Sequence, residues 1–446
     1  MHTPRNSRYP FEFSVMPASA VPVDVWEAVL DAVYDAYYHH PSDFVWQSDP
    51  DRKSNGPLHN FHDLALRQRT LRACALTCRA WRERAQFLLW KHVVFTVEPS
   101  RQFFGLLAAM RSRIADYQSP PVVSSLYMLG QHMPVYGLAG RAIPPLPHWN
   151  LPLATSWDSE VEPGPPSALD RVRRPFFPAL TDINLMRCTF DSVCDFFEFL
   201  WSCPHLSHLV LQDCDLQTGH VDSVAIQSMD TFAREHQTEI LTKLTSLYIH
   251  CYPPSRNLKF IFGPLFGLSV TTLHIGCGML VDVETIPHFI QYWVPTLQDL
   301  RIIILNTHRN ASLDQTRQLR LDRPFIFALA TNHAQAPRPL ASLRTLTFRV
   351  GYPPHGDLEH WSCCALFGRN VRDDLPVARS LFPEVSRLEV DIRHGESMAR
   401  AGRSGRGACF VHIASALPSM VDVLRFRDHR EVTFAVVDGR LQAVSE

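Results

Sequence analysis

Acid–base, thiol and metal chemistry all have raw material here, with 22 histidines, 11 cysteines and 44 acidic residues. What matters is whether spacing concentrates any of it. No G-x-S-x-G places a serine on a nucleophile elbow, no glycine-rich loop ends in Lys, and no H-E-x-x-H sets two imidazoles one helical turn apart. His59-x-x-His62 is the nearest approach to a metal pair, yet no Cys or carboxylate is fixed beside it by spacing, so it reads as an exposed loop, as does His39-His40. Gly402-Arg403-Ser404-Gly405-Arg406-Gly407 is Gly-rich and basic, and reads as a flexible insertion rather than a phosphate cradle. Asp182, His208 and His250 could converge in a hydrolase or transferase built on alternating strands and helices, but no nucleophile motif accompanies them. The chemistry-bearing residues imply no enzyme, metal or cofactor.

Bulk properties narrow the class further. Lys and Arg number 43, giving a net charge of -1, so a nucleic-acid binder held by basic surplus is not expected. Half the remaining question is compartment. The cysteines are scattered with no C-x-x-C pair, no apolar run approaches a membrane span, and the first residues lack a signal-peptide core. Free buried thiols in a cytoplasmic or nuclear chain are the expectation. Hydrophobic residues at 46% are enough to bury a core over most of the length.

Four regions emerge from patterning. Residues 1–19 read as a flexible tail. Residues 20–95 read as a small helical domain. Val25, Val29, Val33 and Tyr37 fall four apart with Trp26, Leu30 and Tyr34 beside them, after a Pro22 suited to a helix's first turn. A second helix is expected from Thr70, its N-cap, with Leu71, Cys74, Ala75, Cys78, Trp81, Ala85 and Leu88 three and four apart, and the polar stretch 39–69 reads as an insertion between the two. Residues 96–179 hold a capping segment or first repeat and a linker, with nine prolines from Arg141 to Pro178.

Residues 180–446 repeat a pattern: apolar, two residues, apolar, one residue, apolar. It occurs at Leu180/Ile183/Leu185, Leu206/Leu209/Leu211, Leu244/Leu247/Ile249, Val270/Leu273/Ile275, Leu297/Leu300/Ile302, Leu343/Leu346/Phe348, Val385/Leu388/Val390 and Val421/Leu424/Phe426, with an early copy at Val123/Leu126/Met128. Intervals of 26, 38, 26, 27, 46, 42 and 36 residues separate the first anchors. Helical filler is expected between them, from Phe190 to Trp201, from Val283 to Trp293 and from Cys409 onward. The spacing resembles leucine-rich repeats, in which one strand and a returning helix cannot bury their apolar faces alone and neighbours supply the core. Cys188 and Cys214 stand where that family places Asn or Cys against the turning backbone. The fold class expected is α/β: a helical N-terminal domain, then an irregular solenoid of parallel strands alternating with helices.

Pro22-Val23-Asp24-Val25-Trp26 with the later Cys78-Arg79-Ala80-Trp81 and Leu89-Trp90 resembles an F-box. Val21 replaces that family's usual Leu, and the 39–69 tract exceeds its short connection. The resemblance implies the substrate receptor of an SCF-type ubiquitin ligase, docking on a Skp-family adaptor and its cullin complex through Pro22, Val25, Trp26, Val29, Leu30, Leu71, Cys74 and Leu76. Strand side chains alternate, so Asp182, Asn184, His208, Gln212, Tyr248, His250, His274, Arg301, Arg349, Arg387 and Arg425 are expected on one solvated face that holds a protein target. The alternative is a repeat scaffold whose F-box has drifted, without a ligase role.

Overall fold

A computed structural model describes residues 22–35, 56–77, 79–95, 123–129, 179–186, 188–190, 196–197, 200–201, 203–212, 214–216, 223–236, 238–251, 264–277, 290, 292–293, 295–305, 340–351, 383–393, 423–427, 433–437 and 440–444. Three helices come first: α1 (Val23–Asp35), α2 (Gly56–Thr77) and α3 (Arg79–Lys91). They share a core of Leu30, Tyr34, Leu71, Ala75, Ala85 and Leu88, with Val33, Cys74, Trp81 and Leu89 packed around it. These are the residues that helical spacing aligns on facing stripes, so burying them is what makes three short helices stable together.

The second helix departs from expectation at its start. Thr70 lies mid-helix, where its Oγ1 donates to the Leu66 carbonyl at 3.0 Å, one turn back. Gly56 and Pro57 open α2 instead of breaking the chain. Proline fits a first turn because its missing N–H would be an orphan there. The connection between α1 and α2 shortens to 36–55, His59 and His62 fall on α2 rather than a loop, and the expected single second helix is two.

Lys91 of α3 is followed at once by β1 (His92–Phe95), so the helices feed the sheet without a linker. Next come β2 (Ser125–Leu129), β3 (Asp182–Met186), β4 (Thr189–Phe190), β5 (His208–Gln212), β6 (Asp215–Leu216), α4 (Ser223–Glu235), β7 (Ser246–Cys251), β8 (Thr272–Cys277), β9 (Asp299–Leu305), β10 (Thr345–Gly351), β11 (Arg387–Arg393), β12 (Val423–Arg427), β13 (Thr433–Val437) and β14 (Arg440–Val444). The main sheet runs β1-β2-β3-β5-β7-β8-β9-β10-β11-β12-β13-β14, and β4 pairs with β6 in a small second sheet. Every neighbouring pair from β1 to β12 is parallel, while β13 and β14 fold back antiparallel. Strand order follows chain order, so these strands have no switch point of the doubly wound kind.

Register explains the repeated triplet. Leu126, Ile183, Leu209, Leu247, Leu273, Leu300, Leu346 and Leu388 are successive partners across the sheet. A one-residue slip would turn each of these side chains to the other face, so the ladder of leucines pins the stack. Two boundaries move. The stack begins at His92 rather than at residue 180, with Val123/Leu126/Met128 as its second strand. Its last triplet is offset, since Leu424 pairs with Val390 and not with Leu388.

A hydroxyl ladder reinforces the strand entrances. Thr181 Oγ1 donates to the Ser124 carbonyl, Ser207 Oγ to Thr181, Thr245 Oγ1 to Ser207 and Thr271 Oγ1 to Thr245, at 3.0–3.3 Å. Past the strands, Cys188 Sγ meets the Met128 carbonyl at 3.6 Å and Cys214 Sγ meets that of Leu185 at 3.2 Å, which is the role expected of those thiols.

Between strands, Phe196, Phe197, Leu200 and Trp201 are buried, as are Ile290 and Trp293. Phe190, read as the start of the first filler helix, is instead in β4. The expected helix from Cys409 lies outside the described residues. Gly267 closes the turn after Pro264–Phe266 with φ 72°, and a Cβ there would sit 2.8 Å from the Ile240 carbonyl oxygen. Gly267→Ala meets both a disfavoured backbone region and a backbone atom, so it should lower stability by about 1–3 kcal/mol in urea unfolding. An unchanged midpoint would contradict that geometry.

Candidate functional site: an exposed helix row and a polar strand row

The eight helical candidates divide by burial. Leu30 and Leu71 are each 1% exposed and belong to the helical core, so neither is available to a partner. That corrects the expectation for both, and the reason is simple: α1 turns its Leu30–Tyr34 stripe inward onto α2 and α3. Cys74 is half-buried against the same core, and burial raises its thiol pKa. Trp26 is half-buried, its ring 4.7 Å from that of Trp81.

The others face outward. Val25 and Val29, one turn apart on α1, are 48% and 42% exposed, with Val23 beyond them at 55%. Leu76 near the end of α2 is 82% exposed. Pro22 is exposed too, and its carbonyl accepts from the amides of Val25 and Trp26, starting the helix. Spacing gave no hint of the clamp that holds α1 in place. Arg84 Nε donates to Asp31 Oδ1 at 3.0 Å and Nη2 to Oδ2 at 2.7 Å, a two-pronged pair between α3 and α1.

The strand row differs more sharply. Its side chains do alternate away from the leucine ladder, yet most of them are buried rather than solvated. Asn184 and Gln212 are each 1% exposed, and Tyr248, His250 and His274 are buried, while Asp182, His208 and Arg301 are half-buried. Burial is greatest toward the strands' later residues, while Asp182, His208, Asp299 and Arg301 keep partial contact with solvent. The backbones of Arg349, Arg387 and Arg425 lie in β10, β11 and β12, and their side chains fall outside the described residues.

Register brings some of these residues together and separates others. Tyr248, His274, Arg301 and Thr347 are consecutive partners across β7, β8, β9 and β10, whereas Val210 stands between Asn184 and Tyr248. The Tyr248 and His274 rings meet edge to face at 4.4 Å. His274 Nε2 lies 3.8 Å from Asp299 Oδ2, long for a hydrogen bond. Burial lowers the His274 pKa and raises that of Tyr248, so both are neutral at physiological pH. Gly276, the β8 partner of His250, leaves the room that the His250 ring occupies. Asp182 accepts from Thr181 Oγ1 at 2.6 Å and from Ser125 Oγ at 3.1 Å, which commits it to the strand entrance.

No family model matches this chain, and no curated protein matches it either. Among the described residues, no three His, Cys, Asp or Glu side chains gather as metal ligands, and no helix is long and apolar enough to cross a membrane.

Proposed function

We propose that this chain is the substrate-recognition subunit of an SCF-type ubiquitin ligase, with α1–α3 as an F-box-like domain docking on a Skp-family adaptor and the strand stack holding a protein target. The observation that carries the reading is α1's two-sidedness. Leu30 and Tyr34 anchor it inward, while Val25 and Val29, one turn apart on the other side, present branched apolar side chains to solvent. A lone exposed valine needs no explanation, but a pair one turn apart on α1, with Leu76 exposed on α2, amounts to apolar surface of the kind that partners cover. The chain needs no catalytic group for this role. It raises the effective concentration of a target near the ubiquitin-charged enzyme by holding two partners on one body. The direct run from α3 into β1 supports such rigidity, because adaptor end and target end then share continuous secondary structure.

The test is a binding titration of the intact chain with a purified Skp-family adaptor. Val25→Glu with Val29→Glu should weaken binding by at least about tenfold while helicity and melting stay as in wild type, since both positions are exposed. Failure of the wild-type chain to bind where a known F-box protein binds would overturn the reading and leave the repeat scaffold.

A further inference from the structure

We infer that Arg301 and Thr347 form an oxyanion-binding site on the strand face, taking a carboxylate or phosphoryl group. The two residues are register partners on β9 and β10, so their side chains rise from adjacent backbones on the same face. Arg301 Nε is buried and makes no hydrogen bond, and neither does the Thr347 hydroxyl, although Thr347 is only 5% exposed. Desolvated polar groups left unpaired are rare, because each forfeits its water without compensation. Two donors orphaned side by side need an acceptor between them.

The acceptor's chemistry follows from the donors. A guanidinium edge beside a hydroxyl suits two oxygens of one planar or tetrahedral anion, the geometry in which Arg surpasses Lys. His274, on the other side of Arg301, has an Nε2 that is likewise buried and without a hydrogen bond. It can donate to the same anion in the appropriate tautomer. Two acidic residues oppose it by position: Glu389 is the register partner of Thr347 on β11, and nearer Arg301 stands Asp299. It sits two residues before Arg301 on β9, with Oδ1 buried and unpaired, and it repels any anion that enters. Access is from this side, since Thr272, Asp299, Arg301 and Thr345 are half-buried while His250 and Gly276 beyond them are closed in.

This site stands on the strand row alone and requires no adaptor. It is tested with the full-length chain, titrated by calorimetry with inorganic phosphate and with acetate at constant ionic strength, chloride serving as the control. Saturable binding of either anion over chloride is the expected result; phosphate alone would assign a phosphoryl group and acetate alone a carboxylate. Arg301→Gln should weaken it by at least about tenfold and Thr347→Val by about threefold, because each removes a donor. Asp299→Asn should tighten it by about threefold or more by removing the repelling charge. Arg301→Lys serves if the Gln variant melts early: it keeps the charge, loses the fork, and should still bind more weakly than wild type. Binding no tighter than chloride, an unchanged affinity in Arg301→Gln and Arg301→Lys, or weaker binding in Asp299→Asn would overturn the inference.

Discussion

Trp201→Ala should destabilise the protein by about 3–5 kcal/mol, the range for an aromatic ring removed from a packed core. Trp201 is 2% exposed, with Phe197 at 6.1 Å and Phe232 of α4 at 5.3 Å, ring centroid to centroid. Phe197 in turn meets Phe266 edge to face at 5.0 Å. The indole joins the segment after β4, helix α4 and the turn before β8, which are elements of three successive repeats. Its Nε1 donates to the Leu265 carbonyl at 2.9 Å, across 64 residues of chain. Alanine would leave both a cavity and an orphaned buried carbonyl. Trp201→Phe keeps one aromatic ring in the cluster and loses the donor with only part of the volume, so it should cost less, about 1–3 kcal/mol. Urea unfolding of both variants gives the comparison. Because repeats are stabilised by their neighbours, amide exchange in Trp201→Ala should accelerate most in β5, β7 and β8. A loss below about 1 kcal/mol for Trp201→Ala would mean that the indole does not hold these repeats together.

The two tryptophans show why part of this fold could be read from the sequence. Trp201 and Trp293 end apolar runs between triplets, and each spends its N–H on a carbonyl of the turn before β8, Trp293 at 2.8 Å from Gly267. Inward periodicity marks such residues without any knowledge of their partners. The leucine ladder is similar: Leu247, Leu273 and Leu300 pair in the register that their triplets imply, because a two-residue period has only one inward face. The hydroxyl ladder was also within reach of sequence, since Ser124, Thr181, Ser207, Thr245 and Thr271 each stand immediately before a strand.

What the sequence hid depends on packing between elements. Alternation places Asn184 and Gln212 opposite the ladder, but whether that face is wet depends on what lies over the sheet, which no local period encodes. Leu30 and Val29 are adjacent apolar residues on one helix, and only the arrangement of α2 and α3 decides that Leu30 is enclosed and Val29 is not. Gly56-Pro57 marks either a break or a helix start, and the stretch that follows it carries too weak an apolar stripe to tell them apart. His92 carries no local signal for a related reason. A four-residue strand directly after a helix has no turn signal ahead of it.

That histidine should make the join between helices and sheet acid-sensitive. His92 is 7% exposed, its ring 5.0 Å from Tyr34 of α1 and stacked on Tyr127 of β2 at 6.4 Å. The surrounding charges pull both ways. Arg67 and Lys91 sit over the Tyr34 ring at 4.7 and 5.2 Å, while Asp182 attracts the imidazolium. Burial dominates and lowers the His92 pKa to about 4. The folded protein therefore holds His92 neutral at pH values where the unfolded chain, with an ordinary histidine pKa near 6.5, already takes up a proton. Stability is fully present above about pH 6.5, falls as pH drops through the window from 6.5 to 4, and loses about 3 kcal/mol from this group by its lower end. His274, also lowered by burial, adds a slope of the same sign. His92→Phe keeps a ring between Tyr34 and Tyr127 and cannot titrate, so it isolates the first contribution. Urea midpoints measured from pH 7.5 to 4.5 should fall less steeply in His92→Phe than in wild type, with the curves diverging below pH 6.5. Parallel curves would show that His92 is solvated or already charged in the folded state, and that the join is not sealed as its neighbours imply.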